Sequence, residues 1–194
     1  DLLEGVGSCE DLAGDQIVPS NIAGMEYIAI KGFLNGNRNR VTITATQNNT
    51  NIYLNGSPTA TSNIGRTQSL NQEITGNTLH IRADKPVLVW HTSGFGCELA
   101  GALLPPVNCT GSFSTSFIRT SNQDFGLLMI VEKDGISNFT LNGNATVIQA
   151  TDFNPVAGTN DKFYYSRLNL SVTNAPTEQA ISVKNSSHLF HLGM

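Results

Sequence analysis

Residues 41–56, VTITATQNNTNIYLNG, decide the fold class. The first half alternates strictly: Val41, Ile43 and Ala45 point one way, Thr42, Thr44 and Thr46 the other. Period-2 alternation marks a half-buried antiparallel strand. A polar run follows, then a second short strand that ends on Asn55-Gly56. That dipeptide supplies the positive φ angles of a hairpin turn.

A second stretch, LMIVEKDGISNFTLNG (128–143), lies against the first without a gap and ends on Asn142-Gly143. Within it, NFTLNGNAT (138–146) matches NIYLNGSPT (51–59) at five of nine positions. Further on, IRADKPVLVWH (81–91) lies against ISVKNSSHLFH (181–191), where an aliphatic residue, an aromatic one and a histidine close both stretches. The offset grows from 87 to 100, so an insertion is expected between the two matches, within VIQATDFNPVAGTNDKFYY. This reads as an N-terminal segment over 1–24 and two related β units, 25–110 and 111–194. The second has no counterpart of TSGFGCELAGALLPP and is expected to end partway through. The plain alternative is that Leu-Asn-Gly is a generic hairpin end.

Strand signals continue elsewhere. KPVLVWHT (85–92) and FGLLMIVE (125–132) are short apolar runs and read as strands covered on both faces. FYYSRLNLSV alternates again. Asn35-Gly36 and Asp134-Gly135 add two more turn dipeptides. CELAGALL is the one helical candidate, and Pro105-Pro106 would end it at once. The expected fold is all-β, with antiparallel β-sandwich-like units in tandem.

Charged residues make up 13% of the chain, about half the usual ~25%. Asn, Ser, Thr and Gly replace them, as on secreted β proteins. A net charge of −4 and no basic cluster beyond NRNR (37–40) argue against nucleic acid. No run of 18 apolar residues is present, so nothing spans a membrane as a helix. No signal-peptide pattern opens the chain, which suggests a mature or excised piece. Sequons at Asn48, Asn108, Asn138, Asn144, Asn169 and Asn185 say little in a chain so rich in Asn, Ser and Thr.

The cysteines, Cys9, Cys97 and Cys109, match no zinc spacing. In an oxidising compartment Cys97 and Cys109 can close a short loop, stabilising by roughly 3 kcal/mol on a chain-entropy model. Cys9 would then stay free or pair outside the chain; three reduced thiols are the alternative. His188 and His191, three apart on an expected strand, point to opposite faces and cannot share a metal. His91 and His191 close equivalent strands and read as structural. Asp84, Asp124, Glu132, Asp134, Asp152 and Asp161 head turns or strand ends, and no nucleophile elbow or phosphate loop occurs. No metal or cofactor is expected. Trp90, in the most apolar run, reads as core. Tyr53, Tyr164, Tyr165 and Phe153 are the surface candidates for binding, since adjacent tyrosines on a strand face opposite ways.

The order of GMEYIAIKG, ITATQNNTNIYLNG, ADKPVLVWH, GCELAGALLPPVNCTGS, NFTLNG, FYYSRLNLS and FHLGM resembles the IgGFc-binding-protein N-terminal domain family. It is most similar to versions in very large secreted or surface proteins of gliding and biofilm-forming bacteria. The resemblance spans about residues 24–194 and includes no catalytic motif. It implies an all-β module without enzymatic activity, linked with mucus and immunoglobulin binding in animals and with adhesion and surface filaments in bacteria. A Cys97–Cys109 pairing fits the bacterial pattern. The expected function is a non-catalytic extracellular β module for adhesion, through glycan, mucus or a cell-surface protein, joined to neighbouring modules of a long polypeptide. A structural spacer or filament subunit is the alternative, and a secreted hydrolase a weaker one.

Overall fold

A computed structural model of the chain describes residues 18–36, 38–108, 110–122 and 125–194. The fold is all-β: three short 3-10 turns are the helical elements among the described residues. The described residues form two compact units. The first holds residues 18–108 and Ala157–Thr159, the second Thr110–Val156 and Asn160–Met194.

In the first unit the strands are β1 (Gly24–Ile30), β2 (Phe33–Leu34), β3 (Arg40–Ala45), β4 (Thr50–Leu54), β5 (Ser62–Ile64), β6 (Ser69–Glu73), β7 (Thr78–Gly96) and β8 (Glu98–Leu103). They form one sheet organised by the 19-residue β7. Its first half is flanked by β1 and β4, which both pair at Ile81. Its second half is flanked by β3 and β8, which both pair at Trp90. Pairing changes hands around Asp84–Pro86, where proline cannot donate to a ladder. There the Pro86 carbonyl instead accepts from Thr46 N at 3.3 Å and Thr46 Oγ1 at 2.6 Å.

Leu79, Ile81, Ala83, Val87 and Val89 all face one side of β7. They share a core with Tyr27 and Ala29 of β1, Val41, Ile43 and Ala45 of β3, and Ile52 of β4. The sheet thus doubles over one apolar interior, a sandwich-like arrangement. β8 is the stretch with the one helical signal; its Gly and Ala residues sit in an edge strand instead.

The second unit holds β9 (Ser114–Ile118), β10 (Phe125–Glu132), β11 (Phe139–Leu141), β12 (Asn154–Pro155), β13 (Phe163–Leu170), β14 (Ala180–Asn185) and β15 (Phe190–Gly193). One sheet runs β12-β13-β10-β15, the other β11-β14-β9. Leu127, Met129 and Val131 from the first sheet meet Phe139, Leu141, Ile181 and Val183 from the second. Phe139 stacks on Phe153 at 5.1 Å and meets Phe190 edge-on at 5.2 Å. β10 is buried along nearly its whole length, on both faces.

The two units share a pairing scheme. β13-β10-β15 corresponds to β6-β3-β7, and β9-β14-β11 to β1-β7-β4. Where β7 runs on unbroken, the second unit splits the path into β14, a bend at 186–188, and β15. The gapless alignment of the two stretches is out by one residue in the leading strand. Val41, Ile43 and Ala45 face their core, as do Leu127, Met129 and Val131, whereas Leu128 faces away. A one-residue slip turns every side chain to the other face. The added residue goes into the connection that contains the 3-10 turn Lys133–Gly135.

Consequently His91 and His191 are not equivalent. His91 pairs with Val41 on the core side, whereas His191 pairs with Ile130 on the side of β15 opposite Phe190 and Leu192. His188 lies in the bend rather than on a strand. Asp134-Gly135 also differs from expectation, forming a 3-10 turn with no positive φ. KPVLVWHT is covered fully on its inner face and partly on its outer one, where Leu88 and Trp90 are half-buried and Thr92 is buried.

Candidate functional site

Trp90 is on the outer face of β7, not in the core. Alternation requires this: Val89 and His91 point inward, so the residue between them points out. On that face Trp90 has Thr42 of β3 on one side and Leu103 of β8 on the other. The indole lies over Gly101, whose missing side chain makes room for the ring. Trp90 Nε1 donates to Thr92 Oγ1 at 3.1 Å. The ring is therefore held from below and at its nitrogen.

The same face continues across β3 and β6 as a ladder of polar pairs: Arg40 opposite Glu73, Thr42 opposite Asn71, and Thr44 opposite Ser69. Thr42 Oγ1 donates to Asn71 Oδ1 at 2.7 Å, and the Thr44 and Ser69 hydroxyls share a hydrogen bond of 2.8 Å. Because its Oδ1 accepts from Thr42, the exposed Asn71 amide keeps its two N–H donors for solvent or a ligand. An aromatic plate beside amide and hydroxyl groups can stack on one surface of a ligand and hydrogen-bond its edge. The reading of Trp90 as core missed this, although strict alternation through VLVWH carried the signal.

The tyrosines form no shared site. Tyr53 is half-buried opposite Arg82, whose guanidinium carbon is 5.3 Å from the ring centroid. Tyr164 is half-buried against the core of the second unit, and Tyr165 is buried. Phe153 is buried as well, stacked on Phe139. Tyr165 and Phe153 are thus core residues rather than surface ones. The turn residues Asn55 and Gly56 have φ of 50° and 76°, and Asn142 and Gly143 have 51° and 81°.

Ionisable groups serve the scaffold. His80 Nε2 is 2.9 Å from Glu26 Oε1, and Glu26 Oε2 accepts from Asn108 Nδ2 at 2.9 Å. Asp84 accepts from Asn51 N at 2.9 Å and Asn51 Nδ2 at 2.7 Å. Asp152 Oδ2 accepts from Gln149 N at 2.7 Å, closing a capping box. Glu132 is 3.7 Å from Lys162. Burial pushes His91 down to about 4, and lowers His191 as well. Among the described residues no three His, Cys, Asp or Glu side chains gather to hold a metal. Cys9, Cys109 and Asp124 lie outside the described residues. No helix among the described residues is long and apolar enough to cross a membrane.

A family model described as IgGFc binding protein matches residues 2–193, nearly the whole chain. No curated protein and no solved structure matches it.

Proposed function

The chain belongs to the IgGFc binding protein family, and from that premise we propose that it is a non-catalytic, extracellular binding module that acts in adhesion. The observation that carries this reading is the half-buried Trp90 on the outer sheet face, packed over Gly101 beside amide and hydroxyl groups. A rigid aromatic costs little entropy to immobilise and is the commonest kind of hot spot in a binding surface. The low charge of 13% supports contact with neutral partners such as glycan, mucus or a surface protein, immunoglobulin Fc among them. Weak contact of this sort gains strength when modules are strung along one polypeptide at a cell surface or in a filament. A disulfide between Cys97 and Cys109 is part of the proposal and suits an oxidising exterior.

The test is retention of the purified chain on immobilised mucin, immunoglobulin Fc and whole cells, alongside Trp90→Ala. Retention on at least one of them, weakened about tenfold or more by the substitution, is expected. Uniform silence on all three would instead favour a spacer or filament subunit.

A further inference from the structure

The geometry points to a neutral oligosaccharide as the ligand of the Trp90 face, an inference that rests on the binding reading above and specifies its partner. Two groups are prearranged. The indole is fixed by Gly101 beneath it and by the 3.1 Å bond from Nε1 to Thr92 Oγ1. Its nitrogen is therefore committed, and what the ring offers is its apolar surface. Asn71 is fixed in turn by the 2.7 Å bond from Thr42, with its N–H donors left outward. A ligand pays little to order either group.

Strand spacing sets the size of what fits. Trp90, Thr42 and Asn71 stand on three successive strands, β7, β3 and β6. Adjacent strands are about 4.8 Å apart, so the Trp90 and Asn71 backbones are roughly 10 Å apart across the sheet, and the indole reaches away from Asn71, over Gly101 of β8. That span takes about two or three hexopyranose rings. The apolar C–H surface of one sugar would stack on the indole, while hydroxyls of the next accept from Asn71 Nδ2. Hydroxyls are good partners here because Ser, Thr and Asn groups serve as both donors and acceptors. Charge argues for neutral sugars: Arg40 and Glu73 face each other at one end of the ladder and offset one another. The face thus selects for neither an anionic nor a cationic ligand.

The 194 residues contain one tryptophan, so its emission reports on this site alone. Titration of the intact chain with neutral disaccharides and N-acetylhexosamine oligomers should shift Trp90 emission saturably. Asn71→Ala should weaken that binding about fivefold or more while leaving circular dichroism and thermal midpoint near the parent. Retention on mucin or Fc should also fall when their glycans are removed enzymatically. Trp90-dependent retention that survives deglycosylation, with no saccharide-induced emission change, would overturn the sugar assignment and leave the binding reading standing. Retention insensitive to Trp90→Ala would place binding elsewhere and sink both.

Discussion

The indole of Trp90 lies so close over Gly101 on the neighbouring strand that a β-carbon at position 101 would overlap ring atoms Cζ2 and Cε2. Gly101 has no positive φ, so the glycine is required by this close approach and not by backbone conformation. Gly101→Ala should therefore tilt the ring off the strand. Overpacking of this kind costs about 1–3 kcal/mol. Denaturant unfolding should show that loss, and Trp90 emission should change in the folded state. A variant that keeps both stability and emission would mean the ring is free to move aside.

Two turns that read alike in sequence should respond differently to the same substitution. Gly56 and Gly143 both have positive φ. No atom lies within 4 Å of the place a β-carbon would take at Gly143, so Gly143→Ala bears only backbone strain, about 1 kcal/mol. Gly56 has the same strain and also faces Gly158, a residue of its own unit, whose Cα would be 2.7 Å from a β-carbon. Gly56→Ala should be the more destabilising by at least ~1 kcal/mol in thermal or chemical unfolding. Equal losses would show that the neighbouring backbone yields freely.

Much of the fold was legible because it rests on period-2 alternation and turn chemistry, which are local. VTITA shows its inward row directly, and Asn-Gly marks where the chain turns. The one-residue slip between the leading strands was not legible. Leu127 and Leu128 are both apolar, and β10 is covered on both faces, so composition could not say which faces the core. The candidate site was hidden by a related ambiguity. Trp90 sits in an apolar run, and hydrophobicity alone suggested burial, whereas its place between Val89 and His91 put it outside. The role of Gly101 depends on a contact between strands and has no local signature at all.

Tyr27 ties the start of β1 to the middle of β7. Its hydroxyl accepts from Gly24 N at 2.7 Å and donates to Val87 O at 2.6 Å. Burial raises its pKa above the ordinary value, with the Gly24 bond acting the other way. Tyr27→Phe removes both bonds and leaves a buried carbonyl and an amide to find other partners. A loss of about 1–3 kcal/mol is expected. Unchanged stability in Tyr27→Phe would mean water replaces the hydroxyl at both groups.

The proposed disulfide joins Cys97 to Cys109. Peptide mapping of the alkylated, non-reduced protein should yield the two in one linked species. A Cys97–Cys9 species, or free Cys109 with Cys97 linked to another molecule, would refute the pairing.

His91 should make the first unit sensitive to acid. Its imidazole is buried on the side of β7 that pairs with Val41, and Nε2 has no hydrogen-bond partner. Burial lowers its pKa from 6.5 to about 4. Between those values the unfolded chain binds the proton and the folded one does not, so unfolding takes up a proton and stability rises with pH. The contribution is complete above pH ~6.5, is lost as pH falls toward ~4, and then levels off. A shift of this size amounts to about 3 kcal/mol. His91→Gln removes the titration while keeping a neutral polar side chain. Carboxylates and the other histidines titrate in both proteins, so the useful quantity is the difference between the two stability–pH curves. Urea unfolding at pH 7 and pH 4 should show the parent losing about 2–3 kcal/mol more than the variant. Parallel curves would mean that His91 is protonated in place, with water or a rearranged neighbour taking up its charge.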